Sequence, residues 1–298
     1  MSTPDPRWPR AGDWLAAGPG TRPVDVAFLG VPAFATSLST TGAHATPSAV
    51  RRALGRSSTW CASRRVDLAD LAPLDFGDID DPDLEDGEWR TTTLASSAAV
   101  KSRLTLVVGG DNSVTYAAAR GVLGEDLATA GLVTLDAHHD FREGKTNGSP
   151  VRRLVEAGLN GERVAQVGIA DWANSRSYAD EAFARGVHVL TRDHVADRGI
   201  ADCMHEALEV AGAAGGPIYV DLDIDVCDRS VAPGCPASLP GGISARELLQ
   251  AAFIAGNHDK VRAVDVTEVD ATADTDGRTV RLAAMALLEA CAGLALRQ

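Results

Sequence analysis

"LVTLDAHHD", residues 132–140, runs a short apolar and β-favouring stretch straight into two aspartates and two histidines. The run is too short for a helix and reads as a buried strand. Charged and imidazole side chains cost free energy when merely buried, so a strand that ends in four of them must end where they are used. The pattern recurs: Asp111 follows "LVVGG", Asp223 and Asp225 close "YVDLDID", and Glu268 closes "VDVTEV".

Between these strands the period changes. "RLTLVVGG" is followed by the helical "SVTYAAARGVL", "GLVTLDAHHD" by "PVRRLVEAG", and then come the strands "RVAQVGIA" and "PIYVDLDID". A capping box from Ser244 to Glu247 opens a helix, "VRAVDVTEVD" is a further strand, and a terminal helix starts near Thr279. Upstream, "VDVAFLGVP" is a strand, and "TPSAVRRAL" starts a helix with Thr46 as N-cap and Pro47 at its first position. Strands alternating with helices predict an α/β protein: one three-layer α/β/α domain with a mainly parallel central sheet. Residues 1–22, rich in Pro, Gly, Arg and Trp, read as an N-terminal tail or arm, and residues 23–298 as that single domain. The acidic "DIDDPDLEDGEWR", residues 78–90, reads as a solvated loop, and no internal repeat is present.

Composition narrows the function. With 45% hydrophobic residues, 5% aromatic and 29 glycines, 298 residues suit one soluble α/β domain. A net charge of −13 without a basic stripe argues against nucleic acid as a partner. No apolar stretch is long enough to span a bilayer. Five cysteines (Cys61, Cys203, Cys227, Cys235, Cys291) at irregular spacings, without a CxxC pair or a leading signal, read as cytoplasmic, with Cys227 and Cys235 as small buried fillers.

In open α/β sheets ligands bind outside the carboxyl ends of the strands, so the terminal acids should converge on one site. If residues 136–140 stay extended, Asp136, His138 and Asp140 share one face and His139 takes the other; the same alternation aligns Asp221, Asp223 and Asp225. One aspartate at a strand end is ordinarily a turn or cap residue. Acids at four strand ends repel one another unless cations stand between them, and a donor set of carboxylates with little imidazole suits Mn²⁺ or Mg²⁺.

These residues resemble the ureohydrolases, the binuclear manganese enzymes that include arginase, agmatinase and formimidoylglutamase. "GGDNS" (109–113) is similar to their GGDHS, "DAHHD" (136–140) to DAHxD, "DLDIDVCDRSVAPG" (221–234) to DxDxxDPxxxPG, and "EVDA" (268–271) to ExxP. The likeness runs from about residue 24 to the terminal helix. It implies an arginase-like fold and two Mn²⁺ bridged by Asp136 and Asp223, one completed by His138 and Asp225, the other by Asp140 and Asn112. It further implies a metal-bridging hydroxide that attacks an amidine or guanidine carbon, with Glu268 holding the cationic amidinium. Asn112 stands where many relatives have His, which predicts weaker or less Mn²⁺-selective binding there. Asn147, in "TNGSP", stands where arginases carry a His thought to shuttle protons, and it is a candidate catalytic and substrate-binding residue.

Both departures, with "APGCPASLPGG" (232–242), resemble the formimidoylglutamase branch. The resemblance then implies cleavage of N-formimidoyl-L-glutamate by water into L-glutamate and formamide in histidine degradation. Arg142 is expected to bind a substrate carboxylate, whereas Arg152 and Arg153 read equally well as a solvated helix face. Relatives are often trimers or hexamers, so a homo-oligomer is expected. The alternatives are a hydrolase of another acidic guanidino compound, such as guanidinobutanoate, that releases urea, and a noncatalytic metal-binding relative.

Overall fold

The computed structural model describes residues 5–297. Its strands are β1 (Val26–Val31), β2 (Trp60–Cys61), β3 (Val66–Asp67), β4 (Pro73–Asp78), β5 (Leu104–Gly109), β6 (Gly131–Leu135), β7 (Val164–Ile169), β8 (His188–Thr191), β9 (Ile218–Asp223) and β10 (Val261–Thr267). Apart from the small antiparallel β2–β3 ribbon, they form one eight-stranded sheet in the order β4-β1-β5-β10-β9-β6-β7-β8. Every neighbouring pair in that sheet is parallel. The four strands that end in acids, β5, β10, β9 and β6, are contiguous at its centre, so their side chains leave the sheet side by side.

The helices are α1 (Ala11–Ala17), α2 (Thr46–Leu54), α3 (Gly87–Lys101), α4 (Val114–Leu123), α5 (Pro150–Glu156), α6 (Arg176–Ala184), α7 (Arg192–Arg198), α8 (Ile200–Ala211), α9 (Ala245–Asn257) and α10 (Arg278–Ala295). Strand alternation feeds two separate apolar layers. Val26, Phe28, Leu106, Val220 and Val264 pack with residues of α2, α8, α9 and α10. Leu29, Val107, Leu132 and Tyr219 pack on the opposite face with Ala95 of α3, Ala118 of α4, Leu154 of α5 and Ala182 of α6. Helices on both faces explain why the strands are apolar throughout rather than alternating. No helix among the described residues is long and apolar enough to cross a membrane.

Several local expectations change. Ala45, not Thr46, occupies the N-cap of α2; Thr46 is its first helical residue, and its buried hydroxyl donates to the Val269 carbonyl. The N-terminal segment carries α1, which periodicity did not reveal; Ala11 and Leu15 are buried and the Trp14 indole donates to Leu71 O at 3.0 Å. The acidic loop gives way at Gly87 to α3, whose buried side is built of Gly87, Thr91, Ala95, Ala98 and Ala99, too small and mixed to leave an apolar stripe in the sequence.

Candidate metal centre and active-site cleft

The chain beyond β6 is not extended. The strand stops at Leu135, and Asp140 turns back with φ +58°, in the left-handed region that non-glycine residues seldom adopt. Strand β9 likewise stops at Asp223, and Asp225 lies in a 3₁₀ turn, Ile224–Val226. The face alternation expected for residues 136–140 is therefore absent, and that expected for 221–225 holds only from Asp221 to Asp223, so the ligand candidates converge through turns. Asp136, His138 and Asp225 offer ligand atoms that all lie within 4.8 Å of one another. His138 Nδ1 is 2.7 Å from Asp225 Oδ2 and 3.5 Å from Asp136 Oδ1. Asp223 Oδ1 accepts from the Asp225 N–H at 2.8 Å, and Asp225 Oδ1 accepts from the Ala137 N–H at 2.9 Å, which locks the β6 and β9 turns together.

Asn112 and Asp140 form the other half. Asn112 Nδ2 donates to Asp140 Oδ2 at 2.8 Å, while its Oδ1 faces the hydroxyls of Thr115 (2.8 Å) and Thr267 (3.1 Å). The amide thus turns nitrogen rather than oxygen toward Asp140. Thr115 Oγ1, with one proton to give, also lies 2.8 Å from Asp265 Oδ2. The reversed amide would satisfy both contacts, with Nδ2 donating to Thr115 and Thr115 to Asp265. It would also set an amide oxygen beside Asp140, an arrangement that a proton or a cation between the two oxygens satisfies.

Glu268 leaves the end of β10 with φ +61°, a second strained acid in the cluster. Its N–H reaches Gly110 O at 2.9 Å, and a side chain at Gly110 would collide with Ala33 O, so this glycine lets the strand ends approach. Glu268 Oε1 accepts from the Asn112 N–H (2.8 Å) and from Asn147 Nδ2 (2.9 Å). The Asn147 oxygen accepts from the Leu38 N–H at 3.1 Å, so this residue ties the 36–38 loop to Glu268.

The electrostatics are those of crowded acids. Burial, followed by the neighbouring Asp225, raises Asp136 to about 6; burial raises Glu268 to about 8; burial and the surrounding carboxylates push Asp140 and Asp223 well above the ordinary range. Burial disfavours a charged His138, but Asp225 and Asp136 outweigh it and raise its pKa to about 11. A proton on His138 thus does in the bare protein what a metal ion would do. The donor set fits a divalent cation: the Asp136 carboxylate is buried and its Oδ2 has no hydrogen-bond partner among the described residues.

These groups open into a cleft of 810 Å³ lined by His138, Asp140, Arg142, Asn147, Asp223, Asp225 and Glu268, together with Ala173, Asn174, Ser175, Ser177 and Tyr178. Arg142 lines it and makes no ion pair among the described residues. Arg152 and Arg153 are turned elsewhere: Arg152 holds Arg142 O, Gly144 O and Glu156, and Arg153 pairs with both Glu88 oxygens. Asp221 does not line the cleft; it lies one step deeper, in register with Asp265 across β9 and β10. His139 faces away, with Nδ1 2.7 Å from Gln166 Oε1. Cys227 and Cys235 are buried, unpaired thiols. Two supporting groups were not read from the sequence, Asn174 and the Thr115–Asp265 pair. Only a lone polar residue at each position marks them.

The sequence profile of the arginase family matches residues 24–293. The formimidoylglutamase of Halalkalibacterium halodurans is 34% identical over 304 residues, covering 97% of this chain and 93% of that protein. The crystal structure of the Bacillus subtilis formimidoylglutamase superposes with a TM-score of 0.92 at 32% identity, over 100% of this chain and 95% of the other. The Trypanosoma cruzi formiminoglutamase crystallised with Mn²⁺ shares the fold, with a TM-score of 0.90 at 23% identity over 98% of this chain and 100% of that one.

Proposed function

The chain belongs to the arginase family, and from that premise we propose that it hydrolyses a C–N bond of a linear amidine, N-formimidoyl-L-glutamate, to L-glutamate and formamide. One observation carries the choice of substrate: the cleft is lined both by the Glu268 carboxylate beside the acid cluster and by the exposed Arg142, which makes no ion pair among the described residues. An amidinium fits the first and a substrate carboxylate the second. An agmatine-like dication would leave Arg142 facing a like charge.

We assign Asp136, His138, Asp140, Asp223 and Asp225, with Asn112 through its oxygen, as the groups that would hold two Mn²⁺. Such a pair supplies Lewis acidity and a water acidic enough to furnish hydroxide at neutral pH. The chain's own part is placement. Glu268 fixes the planar amidinium, Asn147 and the Asn112 N–H fix Glu268, and Arg142 sets the distance between the carboxylate end and the scissile bond. Asn147 occupies the place of a proton shuttle without a proton to shuttle, so its role in this reading is to orient Glu268. The same reading includes a homo-oligomer of three or six copies, a cytoplasmic setting and a step in histidine breakdown; five free thiols agree with a reducing compartment.

The experiment is product analysis of Mn²⁺-loaded protein given N-formimidoyl-L-glutamate and, separately, guanidinobutanoate, agmatine and arginine. Formamide with glutamate from the first alone is expected. Urea from guanidinobutanoate would move the assignment to the guanidino-acid hydrolases.

A further inference from the structure

The turn that carries His138 lies beyond the end of β6, where the backbone keeps only two contacts to the neighbouring strand segment, Asp136 N–H to Val167 O at 3.1 Å and Ala170 N–H to Ala137 O at 3.0 Å. A side chain from 35 residues away adds to them. Asn174, in the loop between β7 and α6, accepts the His139 N–H on its Oδ1 at 2.9 Å and donates from Nδ2 to the carbonyls of Ala137 at 2.9 Å and Ala170 at 3.3 Å. The contacts to residues 137 and 139 straddle His138, so a single amide grips the backbone on both sides of it. Only an amide of this length supplies one acceptor and two donors here; a carboxylate lacks the donors and a hydroxyl lacks the reach. Gln166 of β7 completes the brace, donating from Nε2 to His139 O at 2.9 Å while its oxygen meets His139 Nδ1. Asn174 also forms part of the cleft wall that continues through Ser175, Ser177 and Tyr178.

We propose that Asn174 is a positioning residue that sets His138 for metal binding and ties the cleft wall to that half of the metal centre. The inference rests on the reading of His138 as a metal ligand. Outer partners that orient a metal-ligating side chain commonly contribute 10- to 100-fold in affinity.

The test is Mn²⁺ titration of the metal-free full-length protein, followed by electron paramagnetic resonance and calorimetry that resolve the two ions. Asn174→Ala removes all three contacts. Asn174→Asp keeps the shape and the acceptor, but sets a carboxylate against two carbonyls. Each is expected to weaken one ion by about 10- to 100-fold and to leave the other within about twofold. The same substitutions made in a His138→Ala background should then have no further effect, since their path runs through His138. Equal weakening of both ions, no weakening of either, or an undiminished loss in the His138→Ala background would overturn the proposal. The unsubstituted protein separates the two readings: if it takes up no pair of Mn²⁺ ions, the metal-centre assignment fails before Asn174 is tested.

Discussion

His138 Nδ1 stands 2.7 Å from Asp225 Oδ2, an imidazole–carboxylate contact at the point where a cation is expected. Against the effect of burial, the Asp225 and Asp136 carboxylates raise the His138 pKa to about 11, which keeps the ring protonated at neutral pH. A metal ion must displace that proton. Mn²⁺ binding near pH 7 should therefore release about one proton from His138, and affinity should rise with pH. Calorimetry in buffers of different ionisation enthalpy measures the release; a buffer-independent enthalpy would count against the exchange.

Stability should depend on pH in a direction set by the same groups. Asp136, raised to about 6, and Glu268, raised to about 8, favour the folded state most fully below their unfolded values and lose that contribution as pH rises through 6 to 8. The His138 contribution is complete below its ordinary value of 6.5 and is lost progressively as pH rises toward 11, and Asp225, lowered by the His138 charge against the effect of burial, loses its own only as pH falls below the usual carboxylate range. Metal-free protein should melt at the highest temperature in mild acid and decline toward pH 8, with Mn²⁺ cancelling most of the decline. Thermal unfolding in chelator and in Mn²⁺ from pH 4.5 to 8.5 shows whether the two curves diverge.

How much of this was legible in the sequence follows from the topology. Parallel strands place all their carboxyl ends on one edge, so the acids at the ends of β6, β9 and β10 could be assigned to one site before any coordinates; Asp111 at the end of β5 does not line the cleft and instead accepts from Ser113 and Thr36. How they reach one another could not. The extended alternation fails because β6 ends before Asp136, Asp140 adopts left-handed backbone and Asp225 sits in a 3₁₀ turn; Glu268 is left-handed as well, a cost met by its N–H contact to Gly110 O. Asn174 was invisible for a related reason, since two of its three partners, Ala137 and His139, lie in a distant segment and no local period marks it. Helix α3 escaped because its buried face is alanine, glycine and threonine.

Asp136→Asn should separate stability from metal binding. Removing one of several repelling buried carboxylates raises the melting temperature of metal-free protein. Losing a ligand should cost at least about 100-fold in Mn²⁺ affinity, more than an outer partner does. Melting curves with and without Mn²⁺ test both halves; lower metal-free stability would contradict the repulsion argument.

Glu268→Gln retains an oxygen for the Asn112 and Asn147 N–H groups and removes only the charge. Mn²⁺ stoichiometry should stay unchanged while kcat/KM falls about 10- to 100-fold, the scale of a charge-assisted hydrogen bond to the amidinium. A loss of metal would instead place Glu268 among the ligands.

Arg142→Ala should raise KM for N-formimidoyl-L-glutamate about 10-fold or more, with Arg142→Lys recovering part of it. Formamidine, which lacks both carboxylates, should be turned over alike by all three proteins. An equal loss on both substrates would remove Arg142 from carboxylate recognition.

The most direct test of the metal centre is a crystal structure of the Mn²⁺-loaded protein with anomalous scattering measured at the manganese edge. Two peaks about 3.5 to 4 Å apart are expected. Each should touch Asp136 and Asp223, one with His138 and Asp225, the other with Asp140 and with the Asn112 amide turned oxygen-first. No peak in the cleft of protein that still turns over substrate, or a single ion bound away from Asp136 and Asp223, would contradict the account.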